Sequence, residues 1–149
     1  MMRKYLFYIF VCLMSVGVLA ACKTRKVVEA TVSDLDGEWV VVEMNGRPLA
    51  AGENQPVMRL DILRRGLSGN AGCNRLMGQI EYDSDHRNII RFLQVATTRM
   101  ACPDMSVERA FLEALDKVAR FEAVGEEAPV RRIALFGTKG EKLLELTKR

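Results

Sequence analysis

Leu67-Ser68-Gly69-Asn70-Ala71-Gly72-Cys73-Asn74-Arg75-Leu76-Met77-Gly78 is the stretch on which the reading of the fold turns. Three glycines and two asparagines in twelve residues are incompatible with an ordinary strand. Gly69, Gly72 and Gly78 permit positive φ or close backbone approach, and Asn70 and Asn74 can bond the backbone of a sharp turn. With Ile80 and Tyr82 alternating behind it, the segment predicts a strand, a structured bend and a returning strand.

Outward from the bend, short runs place apolar residues at alternate positions between glycine, asparagine and proline, the pattern of antiparallel strands with one buried face. Residues 39–44 are β-branched and aromatic, and Asn45-Gly46 can supply the positive φ angles of a hairpin turn. Met58, Leu60 and Ile62 alternate with polar neighbours. Residues 88–93 read as a further strand. Ile133 and Leu135 followed by Thr138-Lys139-Gly140 and residues 141–146 read as a C-terminal hairpin. One segment departs from this pattern. Ser106 can cap a helix carrying Glu108 in its first turn, with Val107, Phe111, Leu115 and Val118 at helical spacing and Leu112 beside them. The apolar stripe of that helix needs a sheet to cover it. The expectation is therefore one α+β domain, a strongly curved antiparallel sheet or partial barrel packed on one main α-helix.

The start of the chain has a different character. Residues 5–21 are an uncharged apolar run headed by Arg3 and Lys4 and ending in Leu19-Ala20-Ala21-Cys22. A spanning helix needs about 20 apolar residues, so this run is short for a permanent anchor. It resembles a bacterial lipoprotein signal with its lipobox. The expectations are a signal peptide over 1–21, lipidation at Cys22, a polar tether over 22–33 with an early edge strand as the alternative, and one domain over 34–149. The bilayer would be a partner through the acyl chains. Lys23 stands where some Gram-negative lipoproteins retained at the inner membrane carry aspartate, which favours the outer membrane. Cleavage leaves 128 residues, enough for one domain with a hydrophobic core. Of 22 Lys and Arg, Arg3 and Lys4 leave with the signal, and the remaining 20 against 19 acids give a formal charge of +1. Acids and bases are interspersed, which excludes the one-sided basic surface of a nucleic-acid binder.

A second motif, Thr97-Thr98-Arg99-Met100-Ala101-Cys102-Pro103-Asp104, leads into the helix. Together with the glycine-rich bend, the opening Leu35-Asp36-Gly37-Glu38-Trp39 and the Asn45-Gly46 turn, it resembles the META domain of the HslJ-type heat-shock-related envelope proteins. The motif residues are Gly69, Gly72, Cys73, Asn74, Gly78, Met100, Ala101 and Cys102. The likeness runs from Leu35 to about Leu146. It implies a small α+β domain with a curved sheet and a helix, often in lipoproteins, and a biochemical activity that is largely undefined. The turn Gly137-Thr138-Lys139-Gly140 departs from the simpler aspartate-glycine turn expected there.

Cys12 lies in the signal and Cys22 is the lipid site, so Cys73 and Cys102 are the thiols left for oxidation. Exported thiols usually oxidise, and both sit in the motifs that carry the resemblance. A disulfide is expected, and in a chain-entropy model it adds roughly 3 to 4 kcal/mol. A redox pair would sit as Cys-x-x-Cys, and zinc would need about four ligands. His86 is the single histidine, in a polar loop with Asp83, Ser84, Asp85 and Arg87. Ser68, Thr97 and Thr98 have no identifiable base, and Glu126-Glu127 reads as a solvated loop. Arg75, Arg99 and Asp104 can form surface ion pairs across the bend. Met77, Met100 and Met105 read as packing residues rather than ligands for a soft metal. No catalytic site, metal or cofactor is implied. The expected function is a non-enzymatic, membrane-anchored envelope lipoprotein in stress tolerance or envelope maintenance. The alternative is an inhibitor or ligand-binding module recognising an envelope protein, a peptide or a small ligand.

Overall fold

The computed structural model describes residues 28–52, 54–83, 85–86 and 88–149. The expected signal peptide with Cys12, the expected lipid site Cys22 and the first part of the expected tether, together with Ser84 and Arg87 of the polar loop, lie outside the described residues.

The strands are β1 (Gly37–Met44), β2 (Arg47–Pro48), β3 (Val57–Asp61), β4 (Gly66–Asn70), β5 (Arg75–Tyr82) and β6 (Ile90–Thr97), then β7 (Val118–Ala123), β8 (Arg132–Gly137) and β9 (Lys142–Lys148). A helix, α1 (Ser106–Lys117), separates β6 from β7. The strands form one antiparallel sheet in the order β6-β5-β4-β3-β1-β9-β8-β7, with β2 folded back on β1. The sheet curls until its end strands meet. An Ile89–Arg120 bridge joins them, beside a Phe121 N–H that donates to the Asn88 carbonyl at 2.9 Å.

The alternation seen in sequence sets which side chains point inward. Trp39, Val41, Leu144 and Leu146 are fully buried, and Phe111 and Leu115 of α1 join them. Burying a large apolar side chain of this kind contributes about 1.5–3 kcal/mol. The Trp39 indole N–H donates to the Leu35 carbonyl at 2.7 Å, so its polar edge is satisfied inside the core. Asn45 (φ 50°) and Gly46 (φ 77°) make the expected hairpin turn.

Several boundaries differ from the sequence reading. The strand expected over residues 88–93 begins at Ile90 and continues to Thr97 through an irregularity at Gln94, where φ is 51°. Val118 belongs to β7, which follows α1 without a loop. Ser106 is not the cap of α1: Met105 holds that position without a side-chain bond, and the Ser106 N–H donates to the Asp104 carboxylate at 2.8 Å. The region read as tether is docked from Val28 onward. Ala30 is buried, Val28 and Val32 pack against the core, and Val32–Leu35 is a 3-10 turn. Thr31 and Asp34 close a reciprocal cap there, with the Thr31 N–H donating to the Asp34 carboxylate at 2.8 Å. The Thr31 hydroxyl first, then its N–H, hold the Asp34 carboxyl below its ordinary pKa.

Candidate functional site

The motif residues converge where the glycine-rich bend meets the start of α1. Gly69 lies in β4 opposite Met58, and a Cβ there would sit 2.0 Å from the Val57 carbonyl oxygen at a φ of +146°. Only glycine lets β3 and β4 approach this closely. The Asn70 side-chain oxygen accepts from the Gly72 N–H at 2.7 Å, an Asx turn that reverses the chain. At Gly72, φ is +121° and an added Cβ would meet the Asn54 carbonyl at 3.1 Å. Gly78 is opposite Leu67 in β5, at the step where the β5–β6 register shifts.

After the bend, Cys73 and Cys102 are joined by a disulfide, with Cα atoms 6.5 Å apart, within the range that a disulfide bridges without backbone movement. Asn74 beside it is fully buried and organises the cluster. Its amide nitrogen donates to the Glu108 carboxylate at 3.0 and 3.2 Å, and its backbone N–H donates to the same carboxylate at 2.9 Å. Its amide oxygen accepts from the Thr98 hydroxyl at 2.8 Å and from the Met100 N–H at 2.7 Å. The Thr98 hydroxyl oxygen in turn accepts from the Arg75 N–H at 3.1 Å.

Glu108 is 3 % exposed and has no cationic partner among the described residues. Two features offset its burial. Asn74 donors reach both of its oxygens, and it lies in the first turn of α1, where exposed backbone N–H groups and the helix dipole favour negative charge. Among the described residues, no buried side-chain nitrogen or oxygen lacks a hydrogen-bond partner. The cluster is a clamp: it ties bend, pre-helix segment and helix together.

The remaining sequence candidates lie apart. Arg75 and Arg99 are exposed, and the ion pairs expected between them and Asp104 do not form among the described residues. Asp104 instead accepts from Ser106, whose backbone N–H is the main cause holding its carboxyl below the ordinary value. Met77 and Met100 are 53 % and 58 % exposed, which corrects their assignment to packing. Met77 is on the outward side of β5, where alternation turns side chains away from the core, and Met100 is in the loop that follows β6. Ala101 is exposed beside Met100. His86 Nδ1 lies 2.7 Å from the Asp83 carboxylate, and this contact is the main cause of the lowered Asp83 pKa. No group of three or more His, Cys, Asp or Glu among the described residues could hold a metal ion.

Sequence reasoning placed Glu108 in the helix but missed its role. A glutamate in a first helical turn ordinarily reaches back to its own cap, whereas this one reaches 34 residues back to the bend. The signal was available in Asn74, a polar residue at the apex of a bend that the disulfide pins to the segment before the helix. A second buried acid, Glu145, was also missed. It bonds to Arg132 and, at 3.1 Å, to Lys142, which also reaches Glu43 at 2.5 Å. Burial raises the Glu145 carboxyl, but the bonds from Arg132 and Lys142 outweigh it and hold the pKa below the ordinary value.

Comparison with known proteins agrees with this geometry. The family profile of the META domain matches residues 31–148. A search of curated proteins finds no match. Among solved structures, an NMR structure of a protein from Burkholderia xenovorans is similar at a TM-score of 0.60 and 23 % identity, over 89 % of this chain and 99 % of that one. A crystal structure of a DUF4847 family protein from Bacteroides vulgatus ATCC 8482 is similar at 0.54 and 14 % identity, over 77 % and 94 % of the two chains. At these identities the structural likeness establishes the fold.

Proposed function

The chain belongs to the META domain family, and from that premise we propose that it is a non-enzymatic envelope lipoprotein, held by acyl chains on Cys22, that serves stress tolerance or envelope maintenance. The observation that carries the reading is Leu19-Ala20-Ala21-Cys22 at the end of an apolar run headed by Arg3 and Lys4. One acyl chain binds a bilayer reversibly and two or more hold firmly, at about 0.8 kcal/mol per buried methylene. Lys23 favours the outer membrane. The absence of an enzymatic role is supported by the use of the motif side chains: both thiols are in a disulfide, and both Glu108 oxygens accept hydrogen bonds.

Intact-mass measurement on protein extracted from membranes tests the anchor. A chain beginning at Cys22 with added acyl mass is expected, and an uncleaved chain beginning at Met1 would refute it. A deletion strain is expected to lose survival under envelope stress and to regain it with the wild-type gene but not with Cys22→Ala. A second reading, recognition of another molecule, is favoured by an open slot between the end strands of the sheet, of about 610 Å³.

A further inference from the structure

One rim of the curled sheet gathers the start of β1, the ends of β3 and β9, the start of β8 and the end of β7. Gly37 is opposite Leu60, Trp39 opposite Lys148, Arg132 opposite Thr147 and Ala123 opposite Ile133. The residues ahead of β1 cross this rim. Val28 and Ala30 line a hollow of about 430 Å³ with Phe121 and Ala123 of β7, and at the other side the Ile62 N–H donates to the Asp36 carboxylate at 3.1 Å. Cys22 precedes Val28 by six residues, a length that reaches at most about 20 Å. Acyl chains on Cys22 would thus hold this rim within about 20 Å of a bilayer. The opposite rim, with the 138–141 turn, lies a strand length of about 25 Å beyond it.

At the near rim the β3–β4 hairpin projects Ile62-Leu63-Arg64-Arg65. Leu63 is 92 % exposed, more than any other large hydrophobic side chain among the described residues. The other three exposed ones lie elsewhere, Met77 and Leu93 within β5 and β6 and Met100 in the loop after β6. The tip is held in place. The Ile62 and Arg64 N–H groups donate to the Asp36 and Asp61 carboxylates, and the Arg65 N–H donates to the Ile62 carbonyl at 3.3 Å. Behind it, the Arg65 guanidinium lies 4.4 Å from the centre of the half-buried Tyr82 ring.

A lone exposed leucine is ordinary on a free domain. Its place at the tethered rim gives this one a partner. Arginine stems lie along apolar surface while their charge stays in water, and tyrosine suits a boundary that is apolar on one side and wet on the other. Charge is not the driving force, because Arg64 and Arg65 are matched by Asp36 and Asp61, which bond the tip backbone.

We propose that the Leu63 tip makes a second, protein-borne contact with the bilayer: Leu63 inserts among the lipids, Arg64 and Arg65 stay at the level of the headgroups, and the domain stands on the membrane by this rim. This deepens the anchor reading above and rests on it.

The test uses the full mature chain extracted from membranes and reconstituted in phosphatidylcholine vesicles that carry nitroxide-labelled lipids. A nitrobenzoxadiazole fluorophore is attached at Arg64→Cys or, on the opposite rim, at Lys139→Cys. With Cys22 acylated and Cys73 joined to Cys102, the added thiol is the one that reacts. Quenching should place the probe at position 64 about 5–10 Å into the boundary of headgroups and acyl chains, with none at position 139. High salt should change neither value. Adding Leu63→Ser to Arg64→Cys should abolish the quenching while the melting temperature holds. Equal quenching at both positions, none at position 64, a signal that survives Leu63→Ser or one that high salt removes would overturn the tip contact. Intact mass and flotation with the vesicles separate the two readings. An acylated chain that floats without quenching at position 64 sinks the tip and keeps the anchor, whereas a chain without acyl mass sinks both.

Discussion

The clamp at the glycine-rich bend and the seam between β6 and β7 both bring distant parts of the chain together, and they do so by opposite means. At the clamp the β4–β5 and β5–β6 ladders run up to the bend, and its closure onto α1 is made by a covalent bond and a buried polar network centred on Asn74 and Glu108. At the seam the backbone itself closes the sheet, but only at Ile89–Arg120. The contrast shows that this sheet does not need a continuous ladder to stay curled. Locking α1 to the bend is a second tie, and beyond the bridge the outer edges of both β6 and β7 have no partner strand.

Breaking the clamp should therefore cost far more than breaking the seam. Asn74→Ala removes the side-chain donor to a buried carboxylate and the acceptor of Thr98 and Met100 while keeping the backbone N–H on Glu108, and a loss of about 3–5 kcal/mol in urea unfolding is expected, since each buried polar group left unpaired costs about 1–3 kcal/mol or more. Cys73→Ser with Cys102→Ser should keep the fold and lower stability by about 3–4 kcal/mol, the chain-entropy value for a link spanning 29 residues. Thr98→Val removes one donor to Asn74 and should cost about 1 kcal/mol. Arg120→Ala removes an exposed pair with Glu122 and a contact over the Phe136 ring, and should cost under about 1 kcal/mol. Arg120→Ala leaves the Phe121 N–H bond to the Asn88 carbonyl in place and so tests the side-chain share of the seam alone; a loss as large as that of Asn74→Ala would show that share to outweigh the clamp.

The same contrast explains what was legible in the sequence. The bend and the disulfide of the clamp announced themselves through local chemistry, glycines at Gly69 and Gly72, two asparagines and two cysteines in paired motifs, whereas the bond from Asn74 to Glu108 across 34 residues did not. β1 followed from its β-branched and aromatic residues and the Asn45-Gly46 turn, β8 from alternation, β9 from the turn before it, and α1 from its apolar stripe. The seam gave no such signal. In β6 the irregularity at Gln94 breaks the period of two, so the strand appeared to stop at Leu93. In β7 a register shift between Val118 and Arg120 does the same, and Val118 continues the helical spacing of α1 by coincidence. Ala30 and Val32 were read as tether because two or three apolar residues among polar ones carry no period, and their burial depends on a surface built by strands far along the chain.

The docking of the residues just ahead of β1 has a mechanical consequence. A pull on the chain ahead of Val28 would meet the packing of Val28 and Ala30 first, then the Thr31–Asp34 cap and Leu35, and only afterwards β1. That strand is flanked by β3 on one side and β9 on the other, so it must surrender two ladders at once. Tension entering from this end is thus spent on a small sacrificial turn before it reaches the load-resisting centre of the sheet.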